Sequence, residues 1–87
     1  MTKDIRKLCY EAILSVDGAE KIDYEKVSDD TEIYGSGFNL DSLGLAELTT
    51  ILEKKFDIKI GDEEIMEAEA FENFGALCKF MSEKTKG

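Results

Sequence analysis

Ser42 is the side chain in this sequence best placed to take part in chemistry. It lies in Leu40-Asp41-Ser42-Leu43, where an irregular stretch gives way to a helical apolar period. Asp41 suits a helix N-cap, its side-chain oxygen accepting from a free first-turn N–H. A hydroxyl just inside that mouth sits beside unpaired N–H groups and the positive end of the helix dipole, a setting that favours a phosphate. The chain contains no histidine, so the commonest base for activating a serine is missing. Ser42 is therefore read as a hydroxyl that another enzyme modifies with a phosphate-bearing group. On those four residues alone, the plainer reading is an ordinary helix-start serine.

The other candidates for chemistry are weaker. Gly35-Ser36-Gly37 resembles part of a phosphate-cradling loop, but no Lys-Ser/Thr follows at the required spacing. Asp30 to Asp41 has an acid at each end and Gly35 at the sixth place of a calcium loop. Tyr34 and Phe38 occupy its fifth and ninth places, so the ligand set fails and no metal site is expected. Cys9 and Cys78 are too few for a disulfide framework, and Cys9 is expected as a buried small hydrophobe. With no base, no metal cluster and a chain of 87 residues, an enzyme is not expected.

Charge narrows the partners. Twenty acids face 11 bases, a net charge of −9. That opposes binding to nucleic acid or to anionic lipid, both of which need a basic face. Basic protein patches are the expected complement. Residues 57–72 alone carry seven acids against Lys59. The longest run without charge, Ile33 to Leu40, is too short to cross a membrane. The early apolar stretch from Leu8 to Val16 is broken by Glu11 and lacks a convincing signal cleavage site, so a reducing cytoplasm is the expected compartment.

The elements that must position Ser42 can be read from periodicity. Ile5, Leu8, Cys9, Ala12, Ile13 and Val16 mark a first helix, with Thr2 as N-cap, Asp4 in the first turn and Asp17-Gly18 as its end. A long connection to about Leu40 carries Ile22, Tyr24, Val27, Ile33, Tyr34 and Phe38 to pin it on the core, and Gly35-Ser36-Gly37 as a tight turn. A second helix runs from Asp41 to Lys55 or Phe56. Leu45, Leu48, Ile51, Leu52 and Phe56 form its inward stripe, while Leu43, Ala46, Thr50 and Glu53 face outward with Glu47 at their margin. Lys55 falls toward the inward side, its stem able to snorkel. Ile58-Lys59-Ile60 reads as an extended connector. Asp62 caps a short third helix to about Ala68. Asn73 caps a fourth, with Phe74, Leu77, Cys78 and Met81 on one face, Phe71 in front, and Lys84, Lys86 and Gly87 at a frayed end. The expected fold is all-α: a small four-helix bundle with a long first loop and a short third helix, a single domain over residues 1–87.

Asp41-Ser42-Leu43, then Glu47-Leu48, Leu52-Glu53, Phe56-Asp57-Ile58-Lys59-Ile60 and Asp62-Glu63-Glu64 resemble the acyl carrier protein family. The match is close over about half the chain, and the four-helix layout extends it to nearly all. The resemblance implies a 4′-phosphopantetheine arm on Ser42, joined by a phosphodiester and ending in a thiol that holds acyl groups as thioesters. It implies a phosphopantetheinyl transferase that uses coenzyme A and magnesium. It also implies acyl-transferring or synthase enzymes with basic patches, docking on the second helix. Asp41 and Leu43 match the residues flanking the modified serine, and Glu47 and Glu53 match acidic positions of the docking face. The expected partner surface is Leu43, Ala46, Glu47, Thr50 and Glu53.

This chain departs from the fatty-acid-type pattern at Gly44, where an acid or large residue is usual, and at Lys54 and Lys55, where acids are usual. The stretch from Ile65 to Ala70 is longer than usual. With Gly-Ser-Gly before the motif, it resembles specialised carriers more than a housekeeping fatty acid carrier. The expectation is a monomeric carrier serving fatty acid or specialised lipid or secondary metabolism. Two alternatives stand beside it: a carrier of aminoacyl or peptidyl cargo, which shares the arm, and a helical adaptor that never receives one. Leu45, Ile51, Leu52 and Phe71 are expected to line an interior able to part around an acyl chain, or simply to form the core.

Overall fold

A computed structural model describes residues 4–61, 63, 64, 66 and 69–85. The described residues form three full helices, α1 (Ile5–Leu14), α2 (Ser42–Phe56) and α3 (Phe74–Thr85), with a 3-10 turn at Tyr24–Lys26. Among the described residues there is no strand, only an isolated parallel bridge between Tyr34 and Leu40. The all-helical expectation holds. Of the short third helix expected from Asp62, Glu63, Glu64 and Met66 are helical, whereas Asp62 itself, Ile65, Glu67 and Ala68 lie outside the described residues.

α1 packs against both α2 and α3. Its buried residues are Cys9, Ala12 and Ile13, as the apolar period requires. The expected cap, Thr2, lies outside the described residues, and Asp4 does the capping: its side chain accepts from the Lys7 N–H at 3.2 Å. The helix stops at Leu14, three residues before the expected Asp17-Gly18. Ser15 there turns its hydroxyl onto the Glu11 carbonyl at 3.0 Å, a local bond of the kind that competes with helix propagation. Val16 stays buried although it lies outside the helix, so the apolar pattern tracked burial beyond the element itself.

The long first loop is held by the core rather than laid over it. Val27, Ile33, Phe38 and Leu40 are buried, and Ile22 packs against the same cluster. Tyr10 on α1 meets Tyr24 edge-on with ring centroids 5.1 Å apart and Phe38 at 6.5 Å, and Phe38 in turn lies 6.2 Å from Phe74 of α3. The Tyr10 hydroxyl donates to the Ile22 carbonyl at 2.6 Å. Tyr34 is the exception to the expected set of pins. It is 47% exposed, because the bridge to Leu40 and the turn that follows hold its backbone while its side chain leaves the core.

That turn is tight. The Phe38 N–H donates to the Glu32 carbonyl at 2.9 Å, and the Glu32 carboxylate accepts from both the Ser36 hydroxyl and the Ser36 N–H. A Cβ at Gly37 would fall 1.9 Å from the Glu32 carbonyl oxygen, so only glycine closes the loop here.

The loop also caps α3. The Phe74 N–H donates to Thr31 O at 2.8 Å and the Gly75 N–H to Asp29 O at 3.0 Å, while Asn73 Oδ1 accepts from the Ala76 N–H at 2.8 Å, the cap expected of Asn73. Three of the orphan donors at this helix start are thus satisfied inside the protein. Phe74, Leu77, Cys78, Phe80 and Met81 form the buried side of α3, and Phe71 packs at the edge of the core. The helix ends at Thr85, and Lys86 and Gly87 lie outside the described residues.

Candidate functional site

α2 begins as the sequence predicts. Asp41 is its N-cap, in extended backbone, and Oδ1 accepts from the Gly44 N–H at 2.8 Å. The Leu45 N–H donates to Asp41 O at 2.9 Å, the first intrahelical bond. Gly44 is buried against Leu40 and Asp41, where a Cβ would approach Asp41 Oδ1 to 3.3 Å. The atypical glycine lets Leu40 and the capping carboxylate close over the first turn.

Ser42 is exposed at this mouth. Among the described residues, neither its hydroxyl nor the N–H groups of Ser42 and Leu43 have a hydrogen-bond partner. The contrast with α3 is direct, since there the loop fills the same positions with its own carbonyls. An open helix start with two unclaimed donors and an accessible hydroxyl suits a phosphodiester on that hydroxyl. The donor set therefore fits a phosphate-linked group, which Ser42 would hold with the first-turn N–H groups facing its charge.

The outward face of α2 continues from Ser42. Leu43 is 81% exposed, and Ala46 and Thr50 are exposed behind it, the Thr50 hydroxyl turned back onto Ala46 O. The two acids expected on this face have internal duties as well. Glu47 is exposed, yet its carboxylate accepts from the Asp17 N–H at 3.1 Å and so ties the turn that follows α1 to α2. Glu53 is half-buried, and its carboxylate accepts from the Ile60 N–H at 2.8 Å while its carbonyl accepts from the N–H groups of Asp57 and Ile58. Asp57 takes a left-handed conformation to end the helix, with Lys54 and Lys55 favourably placed in the last turn. Lys55 is exposed next to Asp4, Lys7, Leu8 and Glu11 of the α1 start, consistent with a snorkelling stem.

On the inner side, Leu48, Leu52 and Phe56 are buried, and Leu45 and Ile51 pack against them. The connector behaves as expected, with Ile60 buried and Lys59 exposed. Sequence reasoning missed a groove of about 460 Å³ formed by Tyr34, Met66, Glu69, Phe71 and Glu72. Tyr34 is expected among the residues pinning the loop on the core, and Met66 falls within the expected third helix with no role of its own. Tyr34 lies in an aperiodic loop, and the third helix is too short for its apolar spacing to mark Met66 as exposed. The bridge from Tyr34, one wall of this groove, to Leu40 ends immediately before Asp41-Ser42.

Among the described residues no group of acids, cysteines and histidines is arranged to hold a metal ion, and no helix is long and apolar enough to cross a membrane. No curated protein and no solved structure matches the chain significantly. The family model described as "phosphopantetheine attachment site" matches residues 12–80, a span that takes in the first loop, the open start of α2 and most of α3. Its members carry 4′-phosphopantetheine covalently on a serine and meet phosphopantetheinyl transferases and synthase enzymes without themselves being catalytic. With four-fifths of its length inside that match, this chain belongs to the phosphopantetheine attachment site family of carrier proteins.

Proposed function

We propose that this chain is an acyl carrier protein, a single domain over residues 1–87, with the arm on Ser42. The observation that carries the reading is the exposed Ser42 hydroxyl at an open, Asp41-capped helix start inside the family match. When bound, the arm supplies a terminal thiol that holds cargo as a thioester. The chain's own residues do the rest. Asp41 fixes the first turn, the free N–H groups of Ser42 and Leu43 face the phosphate, and Leu43, Ala46 and Thr50 give partners an apolar landing beside the arm. Glu47 and Glu53 add negative charge to that face while also holding the fold, and partners with basic patches are its complement. The protein has no catalytic role of its own. It works as a cytoplasmic monomer that raises the effective concentration of cargo near a docked enzyme.

Asp41 before the serine supports acyl cargo, and Gly-Ser-Gly before the motif supports a specialised lipid or secondary pathway rather than bulk fatty acid synthesis. The cargo test is direct. The carrier is isolated from its own cells and its thioesters are released with hydroxylamine. Acyl hydroxamates are the expected product. Amino acid or peptide hydroxamates would place the chain among aminoacyl or peptidyl carriers instead.

A further inference from the structure

The groove of Tyr34, Met66, Glu69, Phe71 and Glu72 has no α2 residue in its lining and no part in holding the arm. At about 460 Å³ it is large enough to receive a side chain or a small ligand. Two observations mark it. The first is apolar exposure. Among the described residues the exposed large hydrophobic side chains are Tyr34, Leu43 and Met66, and two of these three line this one groove, Tyr34 at 47% exposure and Met66 at 78%. Phe71, half-buried against the core, gives it a second ring. The second is charge. Glu69 and Glu72 are exposed there, and neither takes part in the ion pairs formed among the described residues, Arg6–Asp29 and Lys84–Glu64. Residues 57–72, which supply four of the five lining residues, carry seven acids against Lys59. Aromatic rings beside carboxylates attract an organic cation, whereas a neutral apolar chain laid there would have to desolvate both carboxylates.

We propose that this groove is a docking site for an arginine side chain presented by a partner protein. A guanidinium suits it better than an ammonium. Its planar, weakly hydrated face stacks on a ring while its N–H donors reach carboxylates as a fork, and an ammonium must give up a tighter hydration shell. Its aliphatic stem has Met66 to lie on, an unbranched side chain that adapts to what it meets. An inorganic cation would gain little from the apolar walls and finds no arranged ligand set among the described residues. Position gives the site its use. Tyr34 is bridged to Leu40, the residue before Asp41-Ser42, so an arginine held here sets a partner beside the open start of α2. Leu43 and the groove then offer two separate points of attachment, and a charged contact added to an apolar one fixes the register of the partner. That the partner is an enzyme acting on the arm rests on the carrier reading, whereas recognition of the arginine does not.

The probe is a capped tripeptide, acetyl-Leu-Arg-Leu-amide, titrated into the isotope-labelled Ser42→Ala chain while its backbone amide shifts are followed. The lysine peptide and the neutral citrulline peptide are titrated beside it. The expected result is saturable movement of the Tyr34, Glu69, Phe71 and Glu72 amides, strongest with arginine, weaker with lysine and absent with citrulline. Glu69→Gln and Glu72→Gln should each weaken the arginine peptide about threefold, and about tenfold together. Tyr34→Leu, which keeps apolar bulk but removes the ring, should also weaken it about threefold. These side chains are exposed, so the variants should melt with the parent chain. Equal binding of the arginine and citrulline peptides, shifts spread evenly over Glu47, Glu53 and the groove, or unchanged affinity in the double glutamine variant would each overturn the proposal. The Ser42→Ala chain takes no arm at Ser42, so the titration is independent of the carrier reading. Arginine recognition without a mass gain in the transferase-treated wild type would remove the carrier reading alone, and a normal gain without arginine recognition would remove this proposal alone.

Discussion

At the scale of single residues, Leu43 separates docking from packing. At 81% exposure it has little core to lose, so Leu43→Ala should change stability by no more than about 0.5 kcal/mol. A buried leucine would cost roughly 2–5 kcal/mol. If the residue anchors partners, the same variant should slow transfer of the phosphopantetheine arm. Melting curves beside modification kinetics check both halves, and normal kinetics would remove Leu43 from the docking face. Asp41 is the converse case. Its carboxylate holds the Gly44 N–H at 2.8 Å, so Asp41→Ala should cost about 1 kcal/mol, and Asp41→Asn, which keeps a capping oxygen, should recover most of it. Equal losses in the two variants would show that charge rather than capping is what matters there.

At the scale of elements, the first loop is seated on the start of α3, where Thr31 O and Asp29 O accept from the Phe74 and Gly75 N–H groups. Gly75 brings α3 so close to the loop that an added Cβ would lie 2.6 Å from the Asp29 Cβ and 2.9 Å from its Cγ. Gly75→Ala should therefore destabilise by about 1–3 kcal/mol, although alanine is the better helix former, because the loop must move. Denaturant midpoints test this, and an unchanged or raised midpoint would mean that the loop is not seated on the helix. These contacts explain what could be read from the sequence. The caps at Asp41 and Asn73 and the apolar stripes of α1, α2 and α3 are local patterns, visible as residue type and spacing. The closeness at Gly37 and Gly75 was not legible, since each faces a backbone or side chain brought there by the tertiary fold. Glu47 and Glu53 could be placed on the outward face, but not their bonds to Asp17 and Ile60, which depend on where other segments turn. Tyr34 was misplaced because an aromatic residue in an aperiodic loop carries no signal of which way it points.

At the scale of the whole molecule, charge governs stability and partner choice. Residues 57–72 hold seven acids against Lys59, and of these Glu64 finds an outside partner in Lys84 at 2.7 Å. Melting temperature should rise with sodium chloride, which screens beyond about 10 Å at 0.1 M, and more steeply with magnesium. A flat or falling trend would show the carboxylates to be well paired. The Lys84 ammonium first, and then the Gly61 N–H, hold the Glu64 carboxyl below its ordinary value of 4.5. A lowered folded value means that the contribution is present above pH 4.5 and lost as pH falls through the lowered value. The melting difference between the wild type and Glu64→Gln should therefore narrow as pH drops below 4.5, and a constant gap from pH 6 to 3 would contradict the pairing. The central claim, that this molecule exists to carry an arm on Ser42, is tested most directly by intact mass. The purified chain is measured before and after incubation with coenzyme A, magnesium and a promiscuous phosphopantetheinyl transferase. The account predicts a gain of one phosphopantetheine in the wild type and none in Ser42→Ala, and an unchanged wild-type mass, or the same gain in Ser42→Ala, would contradict it.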